Sequence, residues 1–61
     1  MNSIKEVLMR RDSMSEADAL TLIAEAKDQL QDYLKEGDLA SAEDICAEYF
    51  GLEPDYVMEL L

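Results

Sequence analysis

The sequence contains no histidine, no tryptophan and a single cysteine, Cys46, among its 61 residues. Histidine is the side chain that most often transfers protons near pH 7, so its absence removes the usual general base. It also leaves Cys46 with no imidazole to activate its thiol, and it excludes the common Cys/His zinc sites. A lone cysteine cannot form a disulfide within the chain. We therefore predict that the protein is not an enzyme and has no cofactor and no metal site.

Positive charge is missing from residues 36–61. The last cation is Lys35, and the 15 Asp and Glu residues outnumber the 5 Lys and Arg residues, which gives a net charge of -10. The acids of residues 36–61 are Glu36, Asp38, Glu43, Asp44, Glu48, Glu53, Asp55 and Glu59. Such a surface repels nucleic acid and anionic lipid and attracts basic protein surfaces. We expect a basic protein surface as the partner, and neither direct nucleic-acid contact nor membrane binding.

Long apolar runs are also absent. No segment approaches the roughly 20 apolar residues that span a bilayer, and residues 1–11 lack the apolar core of a signal peptide. Together with the lone thiol, these features predict a cytoplasmic protein. A chain of 61 residues forms one small domain, which buries only about 60% of its unfolded surface. A homodimer would add stability, and its candidate contacts are Tyr56, Val57, Leu60 and Leu61.

The sequence contains the signals of helices and not those of strands. No segment alternates apolar and polar residues for long enough to form a strand. Capping residues predict four helix starts: Ser3 with Glu6, Ser15 with Asp18, Asp38, and Glu53 followed by Pro54. The first three helices are expected to end near Arg11, at about Glu36 before Gly37, and at Phe50 before Gly51. We predict an all-α fold, with a short N-terminal helix and connection (residues 1–14) and a three-helix core (residues 15–61).

The helical period predicts the apolar face of each helix. By helix, the residues of these faces are Ile4, Val7 and Leu8; Ala19, Ile23, Ala26, Leu30 and Tyr33, widened by Leu22 and Leu34; Leu39, Ala42, Ile45, Cys46, Tyr49 and Phe50; and Val57, Leu60 and Leu61. Cys46 is interpreted as a small core residue, and the three tyrosines as partly buried core residues.

Residues 43–61 resemble the bihelical part of helix-turn-helix regulators. The matching features are a small residue within the first helix, apolar residues on both sides of a turn glycine, and two inward apolar residues in the second helix. They are carried by Ala47, Phe50, Gly51, Leu52, Val57 and Leu60. The resemblance implies a helix-turn-helix-like C-terminal corner, with the long second helix as the first helix of the three-helix core.

The exposed side of this corner departs from the regulator pattern. In such regulators the outer side of the second helix enters the major groove and reads base edges. The residues at those positions here are Glu53, Pro54, Asp55, Met58 and Glu59. Carboxylates are tolerated there only within a surface that neutralises phosphates, and the three nearby candidates, Lys5, Arg10 and Arg11, lie outside the motif. The corner therefore supports a helix-turn-helix-like fold and argues against DNA binding, the usual function of that fold.

Five carboxylates fall near one face of the second helix, opposite its apolar side: Asp18, Glu25, Asp28, Asp32 and Glu36. We refer to this set as the acidic stripe. Its last four members are spaced about 4.5 to 6 Å along the axis, which is close to the phosphate spacing of a nucleic-acid strand. Only Asp32 with Lys35 has the spacing of a compensating ion pair. The stripe is either a solvated face of an acidic protein, a mimic of nucleic acid, or a docking face for another basic surface.

Size, charge and compartment together are similar to those of small accessory proteins of bacteriophages and other mobile elements. Our leading hypothesis is a non-enzymatic protein-interaction module, acting as a modulator of a nucleic-acid-handling partner. Its predicted interface consists of Glu25, Asp28, Asp32, Glu36, Glu53, Asp55 and Glu59. The alternatives are a helix-turn-helix DNA-binding accessory protein, which contacts phosphates through Lys5, Arg10 and Arg11, and a small structural homodimer.

Overall fold

The computed structural model describes residues 3–61 and places four helices and no strand in that part of the chain. The helices are α1 (Ile4–Arg11), α2 (Glu16–Lys35), α3 (Leu39–Phe50) and a C-terminal 3₁₀ helix (Pro54–Glu59). The all-α prediction is confirmed. Met1 and Asn2, which belong to the predicted N-terminal segment 1–14, lie outside the described residues.

Side chains cap the N-termini of the three α-helices as predicted. The hydroxyl oxygens of Ser3 and Ser15 accept hydrogen bonds from the amides three residues later, at 3.2 and 3.1 Å. The Asp38 carboxylate accepts from the Ser41 amide at 3.1 Å. Each cap satisfies one of the amides that the first turn of a helix leaves unpaired. The predicted side-chain cap at Glu53 is wrong: its backbone is extended, but its side chain makes no capping hydrogen bond, and Glu is longer than the residues that this position favours.

Two glycines end helices as predicted, because each adopts a left-handed conformation that costs other residues free energy. Gly37 has φ of 74°, its amide donates to the Leu34 carbonyl at 3.2 Å, and the next amide donates to Tyr33 at 2.9 Å. Gly51 has φ of 64° and donates to the Ala47 carbonyl at 3.1 Å. These turns set the directions in which α3 and the 3₁₀ helix leave the preceding helix.

One hydrophobic core draws on the three α-helices and on Leu60, which directly follows the 3₁₀ helix. The buried side chains are Ile4, Leu8, Ala19, Ala26, Leu30, Ala42, Ile45, Cys46, Phe50 and Leu60. Tyr33, Tyr49 and Tyr56 are half-buried against this core, as predicted. The buried side chains of α1 belong to the same cluster as those of α2 and α3, so α1 is part of the core that the other helices form.

Three residues of the predicted apolar faces are exposed instead: Leu34, Leu39 and Leu61. Ala47, the small residue of the helix-turn-helix pattern, is exposed as well. Leu39 begins α3 and Leu61 follows the last helix, so each lies at an end of a helix. Successive helical residues differ by about 100° of rotation, which turns Ala47 away from the face that Ala42 and Ile45 form. The small residue of the helix-turn-helix pattern is therefore in place in the sequence but does not lie in a helix crossing.

Candidate protein-interaction surface

The acidic stripe lies on the solvent side of α2, where all five of its members are exposed. Asp28, Asp32 and Glu36 follow one another at four-residue intervals, so their carboxylates are about 6 Å apart along the axis. Because α2 has 20 residues, it is about 30 Å long and accounts for most of the 34 Å long dimension of the molecule. The stripe therefore runs along the longest edge of the protein.

No cation neutralises the stripe within residues 3–61. The ion pairs of these residues are Lys5 with Glu16 at 3.6 Å and Arg11 with Asp12 at 3.0 Å. The expected pair between Asp32 and Lys35 does not form, since neither residue belongs to these two pairs. An exposed ion pair contributes little to stability, because holding two long side chains in one geometry costs entropy. The absence of the Asp32–Lys35 pair therefore costs little free energy. The consequence is an uncompensated negative face.

Glu48 extends this face onto α3, which the sequence did not predict. The Tyr33 hydroxyl donates to the Glu48 carboxylate over 3.5 Å. Tyr33 and Glu36 are three residues apart and therefore neighbours on α2, which brings Glu48 to the flank of the stripe. Burial and the nearby Glu48 charge raise the pKa of Tyr33. The position of Glu48 beside the stripe depends on how α3 packs on α2. The spacing of apolar residues within one helix does not specify how two helices are aligned, so the sequence could not predict this position.

The C-terminal members of the predicted interface form a second group, at the 3₁₀ helix. Glu53, Asp55 and Glu59 are all exposed. The carboxylate of Glu59 has a structural role, because it accepts a hydrogen bond from the Ile4 amide at 3.2 Å and so ties the start of α1 to the end of the chain. The stripe and this group lie on different helices, and no hydrogen bond or ion pair joins them in residues 3–61.

Two of the three cations that the DNA-binding alternative requires are already engaged. Lys5 pairs with Glu16, and Arg11 forms two hydrogen bonds with the Asp12 carboxylate, both of 3.0 Å. Arg11 also donates to the Phe50 carbonyl at the end of α3. The hydrogen bonds between Arg11 and Asp12 lower the pKa of Asp12 and raise that of Arg11. Arg11 therefore stabilises the contact between α1 and α3, and phosphate binding would have to compete with it.

An apolar groove of about 180 Å³ opens between α2, α3 and the 3₁₀ helix. It is lined by Leu30, Leu34, Leu39, Ala42, Glu43, Val57 and Leu61. Leu39 and Leu61 are 62% and 74% exposed at its edge, so two of the side chains that the sequence predicts to be buried mark an opening in the core. Their positions at the ends of predicted helices were the only sequence signal of this groove.

Cys46 is a small core residue, as predicted. Cys46 is fully buried, and burial together with the Glu59 charge raises the pKa of its thiol. No group of three or more Asp, Glu or Cys residues within positions 3–61 is arranged to hold a metal ion. No helix described there combines the length and apolarity needed to cross a membrane.

Comparisons with known proteins found no matching family model, curated protein or solved structure. Function is therefore inferred from the charge and shape of the surfaces described above.

Proposed function

We propose that the protein is a non-enzymatic interaction module that binds a basic protein surface through the acidic stripe and Glu48. The observation that carries this proposal is a row of exposed carboxylates along α2 that has no cation within ion-pair distance in residues 3–61. Like charges at four-residue spacing each lower helix stability by a few tenths of a kcal/mol. A basic partner would convert this repulsion into attraction.

We propose that the partner is a nucleic-acid-handling protein. In this proposal the chain is a phage or mobile-element protein that modulates the partner. The support is the spacing of Asp28, Asp32 and Glu36, about 6 Å along the axis for each four-residue step, which approximates the distance between successive phosphates. A protein groove that binds phosphates with Lys and Arg presents complementary charges at similar intervals. Occupation of such a groove by α2 would block its access to nucleic acid.

The helix-turn-helix resemblance supports a second reading, direct DNA binding through the corner of α3 and the 3₁₀ helix. The exposed positions of that corner are acidic or neutral, and Lys5 and Arg11 are paired elsewhere. A gel-shift titration at low salt separates the two readings. Tight duplex binding that weakens steeply with salt would favour direct DNA contact, whereas the proposed function predicts no shift.

The test of the proposal is affinity capture from host lysate treated with nuclease, followed by titration of the purified captured protein in a calorimeter. The stripe variant is Asp32→Lys, and the matched control is Glu6→Lys. Both positions are exposed within α-helices, and both substitutions change the net charge equally. We expect the stripe variant to weaken binding at least tenfold and the control to change it less than threefold, with stronger binding at lower salt.

Equal weakening by the two substitutions would contradict the proposal, because it would indicate a response to net charge alone. Partners that appear only when nucleic acid is left intact would also contradict it. The double substitution Asp28→Asn with Asp32→Asn provides a second measure, since it removes charge without introducing a new cation.

A further inference from the structure

The apolar groove is a separate surface from the acidic stripe. Asp32 precedes Leu34 by two residues, a rotation of about 200° around α2, so the stripe and the groove face different directions. Leu34 is 39% exposed and Leu39 is 62% exposed. Apolar side chains that meet around a concave site, rather than scattering singly over the surface, are typical of a binding position.

We propose that the groove binds one or two apolar side chains of a short, basic, amphipathic helix that belongs to a partner protein. The inference deepens the proposed function, and rests on it, by naming the chemistry of a second contact on the same partner. The groove volume of about 180 Å³ is below the roughly 300–1,000 Å³ of small-molecule sites. This size suits side-chain anchors of the kind with which helices occupy apolar grooves.

Charge complementarity selects the basic character of the helix. Five of the seven groove residues come from residues 39–61, a segment without any Lys or Arg: Leu39, Ala42, Glu43, Val57 and Leu61. Glu43 is the charged residue of the lining. A segment that combines apolar anchors with flanking Lys or Arg side chains would be attracted to this position, and an acidic or neutral segment would be disfavoured.

A second copy of the chain is a poorer occupant. A stable dimer interface buries about 800 Å² per partner, which is roughly a fifth of the 4062 Å² surface of this molecule. The groove offers the edges of three leucines and one valine, and two copies would each bring a net charge of -10. Self-association would therefore have to overcome strong repulsion with a small apolar contact.

The probe for the test is a fluorescein-labelled synthetic helix with leucines at positions i, i+3, i+4 and i+7 and lysines elsewhere. A second peptide replaces the leucines with alanine and keeps every lysine. Binding is followed by fluorescence anisotropy at physiological salt, where long-range attraction between charges is largely screened. We expect saturable binding of the leucine peptide, at least tenfold tighter than binding of the alanine peptide.

Two protein variants locate the contact. Leu39→Gln alters an exposed residue of the groove, and Leu20→Gln alters a leucine of α2 that is 49% exposed and does not line the groove. Because both side chains are largely solvated, both variants are expected to fold, which circular dichroism verifies. Leu39→Gln is expected to weaken the leucine peptide at least tenfold, and Leu20→Gln less than twofold. Methyl NMR shifts are expected at Leu34, Val57 and Leu61.

Equal binding of the two peptides, equal effects of the two variants, or no binding of the leucine peptide would each overturn the groove proposal. Sedimentation that shows a dimer in the native chain and a monomer in Leu39→Gln would also overturn it, in favour of a second copy as the occupant. The Asp32→Lys capture experiment concerns a different face of α2. The two experiments therefore distinguish a failure of the stripe proposal from a failure of the groove proposal.

Discussion

At the scale of single residues, a few polar side chains determine where the helices begin and how α1 is attached. Ser3, Ser15 and Asp38 act locally, on amides three residues away, which is why their role is visible in the sequence. Arg11 and Glu59 act across the fold, on the Phe50 carbonyl and the Ile4 amide. Those partners are 39 and 55 residues away, and no local pattern indicates them.

Asp38 should make the stability of the protein depend on pH in the acidic range. Its hydrogen bonds with Ser41 lower its pKa, so it stabilises the fold above the ordinary Asp pKa of about 3.9. This contribution is lost as the pH falls through the lower pKa of the folded state. Asp38→Asn keeps a capping side chain but does not titrate. Thermal melts should therefore show a difference between wild type and Asp38→Asn that shrinks from pH 6 to pH 3.

Asp44→Asn is the control for this experiment, because it removes one negative charge from an exposed position of the same helix. A wild-type advantage over Asp38→Asn that stays constant across this pH range would contradict the assigned role of the Asp38 carboxylate.

Arg11 should contribute to stability in a way that its neighbour Arg10 does not. Arg11→Met removes the hydrogen bond to the Phe50 carbonyl and the pair with Asp12, and it leaves the last carbonyls of α3 with fewer partners. We expect the Tm to fall by several degrees. Arg10→Met removes the same charge from an exposed residue and should change the Tm by less than half as much. Similar Tm values for the two variants would show that the Arg11 contact is dispensable.

At the scale of elements, helix ends decide the geometry of the corner that resembles a helix-turn-helix. The turn at Gly51 and the burial of Phe50 and Leu60 agree with the pattern. The second element, however, is a 3₁₀ helix of 6 residues, about 12 Å long at 2.0 Å per residue. Such an element has only two turns at 3.0 residues per turn, and Ala47 in the preceding helix is exposed.

Gly37 offers a test of how strongly the α2–α3 turn depends on its conformation. A Cβ added at Gly37 would meet no atom within 4 Å, so Gly37→Ala isolates the cost of a left-handed backbone. We expect a loss of about 1–2 kcal/mol in the free energy of unfolding, measured by urea denaturation. Gly37→Asn should lose less, because Asn tolerates this conformation better. Equal losses for Ala and Asn would point to a cause other than backbone strain.

At the scale of the whole molecule, the net charge of -10 opposes compaction of a small core. Repulsion between the carboxylates is screened by salt, with a Debye length of about 30 Å at 0.01 M and 3 Å at 1 M. We therefore expect the urea midpoint to rise when sodium chloride is increased from 10 mM to 500 mM. The Asp28→Asn and Asp32→Asn double variant should show a smaller rise. A midpoint that falls with salt would indicate that the ion pairs outweigh the repulsion.

The sequence alone determined the three α-helices, their N-terminal caps and the two terminating glycines, because these depend on residues within one or two turns of each other. It also determined that the charge of residues 36–61 is wholly negative. Only the tertiary structure decided that α1 belongs to the common core, that Leu39 and Leu61 border a groove, and that Glu48 lies beside the stripe. Those features depend on how the helices are aligned with one another. Side-chain packing sets that alignment, and the residue spacing within a single helix does not encode it.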